Sequence, residues 1–292
     1  MFEQKKTKAL VVVNSLLVLS FFLTGAVGGH GASQRLEVQI PQLSSDDSTF
    51  LQVGEELEYA VSYSFFSIGT VSFKILDKGI RDGRSFFKAK AIIESNPSLN
   101  WLKEVHIRFY GEIDDSIFSR YWISEDSSSS GIDYHSLTFN YKNSDLVYEK
   151  GNVFPSGERK ILKTDSIRVA GPSQDGLSLF FYAREHARQR MEVMVPTFIE
   201  NKEANAHISF RDRIEDVEID AVKYPVETVF LDGRADFVGV VGMTGGFRGW
   251  FSNDRARIPI VARLNVWIGS IKVELKSWKR TGWQPPKFVE PN

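Results

Sequence analysis

The stretch LEYAVSYSFFSIGTVSFKIL, residues 57–76, decides the fold. It is rich in β-branched and aromatic residues, and apolar side chains partly alternate with polar ones, as in a strand with one buried face. Similar runs recur along the chain at residues 84–94, 105–112, 117–124, 132–141, 145–150, 190–199, 205–213, 223–231, 235–241, 247–252, 257–268 and 270–277. Short strands separated by turns predict a mainly β fold, with antiparallel strands in a curved sheet or a barrel-like sandwich.

Two dipeptides between apolar runs have the composition of hairpin turns. Asp82-Gly83 and Asp232-Gly233 each place a glycine where a tight turn needs a positive φ. We therefore predict a hairpin at both positions.

One segment is predicted to be helical. In DGLSLFFYAREHARQR, residues 175–190, Leu177, Phe180, Phe181 and Arg184 recur at helical spacing. Asp175 or Ser173 is suited to cap the first turn, because a short polar side chain accepts hydrogen bonds from free backbone N–H groups. The helix would join two β-rich halves, residues 50–165 and 175–277, and residues 278–292 would form an extended tail.

The composition excludes several classes of protein. The chain has 36 basic and 37 acidic residues, which argues against a nucleic-acid partner. It has 22 Phe and 25% charged residues, which argues against disorder. It has no Cys, so disulfide scaffolds, thiolate metal sites and cysteine nucleophiles are ruled out.

The N-terminus has the features of an export signal. Lys5, Lys6 and Lys8 precede an apolar run from residue 9 to residue 27, and small residues follow. We predict a signal peptide over residues 1–28 and a polar linker over residues 29–49, which places the body in the periplasm or cell envelope. If the run is not cleaved, residues 9–27 are long enough to anchor the protein in a membrane.

Two internal repeats suggest related local structures. Arg120-x-Trp122-x-Ser124-x-Asp126 has the same spacing as Arg248-x-Trp250-x-Ser252-x-Asp254. In a strand, each set would lie on one face. A second repeat, residues 67–71 against residues 267–271, suggests that the first and last main strands bend alike and lie side by side.

Three stretches together resemble a known family. GEELEYAVSYSFFSIGTV (54–71), DGLSLFFYAR (175–184) and GWFSNDRARIPIVARLNVWIGSIKVEL (249–275) resemble the exported bacterial proteins of the domain of unknown function 3108 family. The matching positions are Gly54, Glu55, Leu57, Tyr59, Asp175, Leu177, Ser178, Tyr182, Arg184, Trp250, Ser252, Asp254 and Pro259. The resemblance covers residues 50–277 and implies a periplasmic β-rich fold, but no reaction. The charged segment EHARQR (185–190) departs from the family pattern and leaves the helix exit uncertain.

Motifs of catalysis are weak in this sequence. The five histidines lack metal-ligand spacing, so we predict no metal site and no cofactor. There is no Gly-x-Ser-x-Gly elbow and no phosphate-binding loop. The glycine-rich stretch 239–251 fits an irregular hairpin better than a lid.

The aromatic content favours binding instead. Aromatic residues make up 13% of the chain, and a curved antiparallel sheet can enclose an apolar cavity. We therefore expect a non-enzymatic envelope protein that holds an apolar or amphiphilic molecule, such as a lipid. The alternatives are an interaction component of an envelope assembly, which would use sheet edges or the tail, and a hydrolase acting on envelope polymers. The candidate ligand-binding residues are Arg120, Trp122, Tyr182, Arg184, Arg248, Trp250 and Asp254.

Overall fold

The computed structural model describes residues 50–81, 83–99, 104–238, 244–266 and 269–290. The predicted signal segment and linker, residues 101 and 267, and the first half of the glycine-rich stretch lie outside these ranges. The strands are β1 (Glu56–Tyr63), β2 (Phe66–Arg81), β3 (Arg84–Ser95), β4 (His106–Asp114), β5 (Ser119–Ser128), β6 (Gly131–Asn140), β7 (Asp145–Val153), β8 (Arg159–Arg168), β9 (Arg190–Ile199), β10 (Lys202–Val217), β11 (Val226–Val238), β12 (Thr244–Ser252), β13 (Pro259–Asn265) and β14 (Ser270–Lys279). The helix is α1 (Ser178–His186).

The fourteen strands of the described ranges belong to one antiparallel sheet, in the order β8-β7-β6-β5-β4-β3-β2-β1-β14-β13-β12-β11-β10-β9. Strands that are consecutive in sequence pair with each other, except β8 and β9, and β1 pairs with β14 as well as with β2. The first and last strands are therefore neighbours in the middle of the sheet, and β8 and β9 are its two ends. The predicted mainly β fold with one helix is confirmed.

The stretch that decided the fold forms two strands, not one. β1 and β2 pair from Tyr63↔Phe66 outward, and the turn between them has Ser64 at φ +57°. β2 and β3 also pair up to the predicted turn: Arg81 pairs with Arg84, and Gly83 has φ +75°, while Asp82 lies outside the described residues. A positive φ is a conformation that glycine adopts without steric cost.

The hairpin predicted at Asp232-Gly233 is wrong, because both residues lie inside β11. The structure gives a different reason for this glycine. A Cβ atom on Gly233 would lie 2.3 Å from the Phe247 ring and 2.5 Å from the His207 carbonyl oxygen. Gly233 therefore makes room for a neighbouring side chain, which is the other common role of glycine in a strand.

β8 was not among the predicted strands. Its sequence, RKILKTDSIR, is mostly charged or polar, and eight of its ten residues are exposed. A terminal strand that buries little surface has no alternating apolar pattern to reveal it. Its backbone pairing with β7, from Asp145↔Arg168 to Val153↔Arg159, defines it instead.

Helix α1 is shorter than the predicted segment 175–190. It ends at His186, the Gln189 N–H donates to the His186 carbonyl, and β9 begins at Arg190. The charged segment 185–190 is thus the last helical residues plus the turn into β9. Of the two candidate caps, Asp175 accepts hydrogen bonds from the N–H groups of Leu177 (2.6 Å) and Ser178 (2.9 Å).

The helix lies within the curve of the sheet. Leu177, Phe181 and Tyr182 belong to the largest apolar cluster, which includes strands from both halves of the chain. From the first half of the chain, the cluster includes Phe109 and Trp122. From the second half, it includes Val195, Ile208, Phe210, Leu231 and Phe251. The two halves therefore share one core, with α1 between them.

The two tryptophans of the Arg-Trp-Ser-Asp repeat lie on opposite faces of the sheet. Trp122 points into the large cluster, within 5.9 Å of Phe109 between ring centroids. Trp250 follows Gly249 and precedes Phe251, which faces the same cluster, so Trp250 faces outward. The repeat therefore does not mark two equivalent sites.

Candidate functional site

One end of the curved sheet, the end at which β1 begins, is closed by a buried ion network. We call it the lower end. Arg184 of α1 is 0% exposed. Its guanidinium donates to both carboxylate oxygens of Glu55 (2.6 and 2.9 Å), and to the backbone carbonyls of Phe50 (3.0 Å) and Ala256 (2.9 Å). Arg280 also pairs with Glu55. The network joins the N-terminal segment, the helix, the β12–β13 loop and the C-terminal tail.

Further buried contacts extend this closure. Arg257 pairs with Glu185 of α1 at 2.8 Å. One Asp254 oxygen accepts bonds from Ser252 and from two backbone N–H groups of the β12–β13 loop. The other Asp254 oxygen accepts a bond from Trp283 Nε1 at 2.7 Å. The tail thus packs on the body, and these contacts tie the β12–β13 loop, the helix and the tail together at the lower end.

Above the helix, the inner face of β2–β7 is organised in rows of paired residues. Cross-strand partners share one face of a sheet, so each row can be followed from strand to strand. The floor row, nearest the helix, contains Ile75, Ala89, Gly111, Trp122, Leu137 and Tyr148. All six residues are buried. At Gly111, a Cβ atom would lie 3.2 Å from the Leu177 side chain, so the helix packs directly on this row.

Two further rows lie above the floor, toward the upper end. The middle row contains Phe73, Ala91, Phe109, Ser124, His135 and Lys150. The upper row contains Val71, Ile93, Ile107, Asp126, Asp133 and Asn152. Both rows change character at the same place, from apolar on β2–β4 to polar on β5–β7.

Solvent reaches the inner face from the upper end. The floor row is buried, the middle row is partly buried, and no member of the upper row is buried. Val71, Ile93 and Ile107 point inward and yet remain partly exposed. These side chains pack against the buried clusters on one side and meet water on the other, and we interpret this part of the inner face as an open concave surface.

The helix and the opposite wall complete this concave surface. Phe180 of α1 stacks on Phe73, with ring centroids 4.1 Å apart and planes at 4°. Phe180, Leu179 and Ala183 are only partly buried, so one side of the helix forms the bottom of the concavity. Val61 of β1 also points inward and is partly exposed, as are four residues of the second half: Phe247, Ala262, Leu264 and Val273.

The polar part of the rows is held in place by hydrogen bonds. His135 Nδ1 lies 2.8 Å from the Tyr148 hydroxyl, and Asn152 donates its amide to Asp133. Burial lowers the pKa of His135 below its ordinary value, so the imidazole is held neutral. Burial also raises the pKa of Tyr148 to about 12. This wall therefore presents neutral hydrogen-bonding groups beside charges of both signs.

The structure brings one predicted site residue, Trp122, to the inner face. Arg120 lies at the lower end, 3.6 Å from Asp114, and Tyr182 stacks on His186 at 4.2 Å. Arg184 and Asp254 bind protein groups in the lower closure. On the outer face, Arg248 is exposed, and Trp250 donates to Glu215 at 2.6 Å. Ligand contact by these residues stays a prediction.

Sequence reasoning missed the other residues of the inner face. His135 is two positions from Leu137 in a predicted strand, and that alternation alone places the two side chains on one face. The apolar pattern of β2–β4 predicts a buried face. The partial exposure of these apolar residues depends on what lies opposite them, which a single sequence does not reveal.

Other candidate sites within the described ranges are weaker. A depression of about 460 Å³ on the lower surface is lined by polar side chains of Asn143, Asp145, Ser166 and Arg168. Among the described residues, no group of three His, Asp or Glu side chains is arranged to hold a metal ion. No described helix is long and apolar enough to cross a bilayer.

Comparison with known proteins identifies the family. Residues 58–276 match the family model described as "Protein of unknown function (DUF3108)". The chain belongs to the DUF3108 family. This confirms the resemblance drawn from the sequence, and the DUF3108 match spans the sheet from β1 to β14. A search of curated proteins found no match.

Two solved structures are similar to this DUF3108 chain, and the first supports its architecture. One is the crystal structure of a β-barrel-like protein of the domain of unknown function DUF1849 from Brucella abortus. It is 9% identical, with a TM-score of 0.50, and the match covers 77% of this chain and 97% of that chain. Another, described as a candidate exported protein with a YmcC-like fold from Bacteroides fragilis, is 7% identical, with a TM-score of 0.32, and covers 78% and 97%. The first likeness concerns the fold alone.

Proposed function

We propose that this protein is an exported envelope component that binds an amphiphilic molecule, without chemical conversion, on the inner face above α1. The observation that carries the proposal is the gradient of exposure across the rows. The floor is sealed, while apolar residues above it face inward and remain partly exposed. When a ligand covers apolar surface that was in contact with water, the free energy of the system falls by about 25 cal/mol per Å².

The closed lower end supports a one-sided site. The fully buried Arg184–Glu55 pair and the Trp283–Asp254 bond tie the lower segments together. A rigid floor limits the conformational entropy that binding removes, because the walls are already in place. The N-terminal signal composition supports export, and an envelope location supplies amphiphiles as ligands.

Native mass spectrometry of the protein purified without detergent tests the proposal. We expect extra mass that solvent extraction releases. Ile107→Glu places a charge among the inward apolar residues and is expected to abolish the extra mass. Val147→Glu is the matched control, because Val147 lies on the outer face of β7 and is 39% exposed. A clean apo mass for the unmodified protein, or equal loss in both variants, would contradict the proposal.

A second candidate function is favoured by β8. This strand ends the sheet, and no described strand pairs with its outer edge. Ile161 and Leu162 on it are 55% and 51% exposed. An open edge with exposed apolar residues is a template for an added strand. By contrast, part of β9, the other end, is covered by a bridge between Gln174 and Thr197.

Site-specific crosslinking separates this candidate from the first. A photoreactive residue at position 162 is expected to capture one defined polypeptide in the envelope if β8 is an interaction edge. The same residue at position 80 is the control, because Ile80 is 77% exposed but lies next to a hairpin tip. Equal or absent capture at both positions would remove β8 as a candidate.

A further inference from the structure

We propose that the ligand of the inner face is a neutral amphiphile: a single hydrocarbon chain attached to an uncharged polyhydroxyl head group, such as glycerol or a sugar. This inference rests on the proposed function and adds the class of ligand. It comes from the change in the middle and upper rows from apolar side chains on β2–β4 to polar side chains on β5–β7. That change separates the inner face into an apolar wall and a polar wall.

The apolar wall would hold the hydrocarbon chain. On β2–β4 the two rows present Phe73, Ala91, Phe109, Val71, Ile93 and Ile107. Phe180 of the helix continues this wall by stacking on Phe73. No charged side chain interrupts it within these rows, so the wall matches a chain that lies along it.

The polar wall begins on the next strand. On β5–β7 the same rows present Ser124, His135, Lys150, Asp126, Asp133 and Asn152. Because Phe109 pairs with Ser124 and Ile107 pairs with Asp126, the two walls are one strand spacing apart. That spacing is about 5 Å, so a ligand on the apolar wall has its polar end beside β5–β7.

The charges of the polar wall argue against an ionic head group. Lys150 is the cross-strand partner of His135, and Asp133 is the partner of Asn152 and Asp126. A carboxylate or phosphate head would meet the Asp133 carboxylate, and an ammonium head would meet Lys150. Each charged head therefore meets a like charge as well as an opposite one, so no matched ion pair offsets the hydration that it loses on binding.

The hydrogen-bonding groups of the polar wall favour hydroxyls. The wall contains donors, acceptors and groups that are both: an ammonium, carboxylates, an imidazole, an amide and a hydroxyl. A hydroxyl donates one hydrogen bond and accepts two, so it can bond to each of these groups. The bonds from Tyr148 to His135 and from Asn152 to Asp133 fix two of the side chains before a ligand arrives.

The test compares four probes that share one C12 chain: dodecyl glucoside, dodecanol, dodecanoate and dodecyltrimethylammonium. Each is titrated calorimetrically into the intact protein below its micelle concentration. We expect the glucoside to bind roughly tenfold more tightly than either ionic probe, and more tightly than dodecanol, because only it gains hydrogen bonds without like-charge contact.

Variants identify the polar wall as the cause. Asp133→Asn is expected to tighten dodecanoate binding several-fold and to change glucoside binding little. His135→Leu is expected to weaken glucoside binding several-fold and to leave dodecanol binding unchanged. Glu125→Gln is the matched control, because Glu125 lies between Ser124 and Asp126 on the outer face.

The outcomes separate this inference from the proposed function. If the probes bind with equal affinity, or an ionic probe binds most tightly, the assignment of a neutral head is overturned while binding on the inner face stands. If none of the four probes binds, the proposed function is overturned as well. Glucoside preference that survives His135→Leu would also contradict the role of the polar wall.

Discussion

Among single residues, Arg184 carries the most concentrated set of contacts. It is fully buried and donates four hydrogen bonds to Glu55, Phe50 and Ala256. Arg184→Met leaves the Glu55 carboxylate buried with one partner fewer. We expect the free energy of unfolding to fall by about 3–5 kcal/mol, measured by chemical denaturation. Arg248→Met, at an exposed position, should change it by less than about 0.5 kcal/mol. Equal effects of the two changes would show that the network does not stabilise the lower end.

One buried histidine, His186, and one partly buried histidine, His135, set a pH dependence of stability. Burial lowers the pKa of both His135 and His186, so the folded state binds fewer protons than the unfolded chain, whose histidines titrate near pH 6.5. The stability they confer is present above about pH 6.5 and is lost as the pH falls toward their folded pKa values. The slope is at most about 1.4 kcal/mol per pH unit for each proton.

The measurement is the free energy of unfolding between pH 7 and pH 5. We expect it to fall with pH in the unmodified protein and to fall less in the double variant His135→Gln, His186→Gln. Asp114 and Asp175 have the opposite effect at lower pH. Burial raises their pKa values, so the folded state binds protons more tightly than the unfolded chain, and protonation of these two groups increases stability as the pH falls. An identical slope in the double variant would contradict this assignment.

Some residue roles could be predicted from sequence and others could not. Asp175 before an apolar helical run indicates a cap, and Asp175 does accept the N–H groups of Leu177 and Ser178. His135 gave no such signal, because its environment is created by β7 and by the concavity above the helix. Local chemistry is visible in the sequence, whereas exposure on the inner face depends on distant strands.

At the scale of elements, the start of α1 gives a direct comparison. Asp175→Ala removes two hydrogen bonds to the helix N-terminus, and we expect a loss of about 1–2 kcal/mol in the free energy of unfolding. Ser173→Ala should cost less, because its hydroxyl donates only to the Gly171 carbonyl. Thermal or denaturant unfolding of both variants decides between the two candidate caps. A larger loss for Ser173→Ala would contradict the capping role of Asp175.

The strands show where pattern reasoning succeeds and where it fails. Strands with one buried face, such as β3 and β9, carry alternating apolar residues and were predicted within two residues of their observed ends. β8 was missed because little of it is buried. The turn at Gly233 was wrongly predicted, since the reason for that glycine is the Phe247 ring on a neighbouring strand. Both failures have causes outside the local sequence: β8 is mostly exposed to solvent, and Gly233 is required by a side chain on a neighbouring strand.

For the whole molecule, the C-terminal tail is predicted to be part of the folded body. Truncation after Lys279 removes Arg280, which pairs with Glu55, and the buried Trp283, which donates to Asp254. We expect a loss of at least about 3 kcal/mol in stability. Truncation after Phe288 is the control, because Val289 is 71% exposed. Equal denaturation midpoints for the two truncations would contradict a structural role for the tail.

The overall architecture was predictable as a class, and the second internal repeat suggested that the first and last strands lie side by side, but the register of that pairing was not predictable. Strand-rich composition and the family resemblance indicated a curved antiparallel sheet with one helix. The pairing of β1 with β14 joins residues more than 200 positions apart, such as Tyr59 and Leu275. That pairing joins the two halves of the sheet, which share one core with α1. A local pattern holds no record of so distant a register, so the concavity could only be anticipated in general terms.

The claim that an amphiphile occupies the inner face is tested most directly by thiol protection. The chain has no Cys, so a single introduced cysteine is the only reactive thiol. We would measure the labelling rates of Ile93→Cys, on the apolar wall, and Val147→Cys, on the outer face, with and without dodecyl glucoside. Protection at position 93 with no change at position 147 is the result that the account predicts. Unchanged labelling at both positions under saturating probe would contradict it.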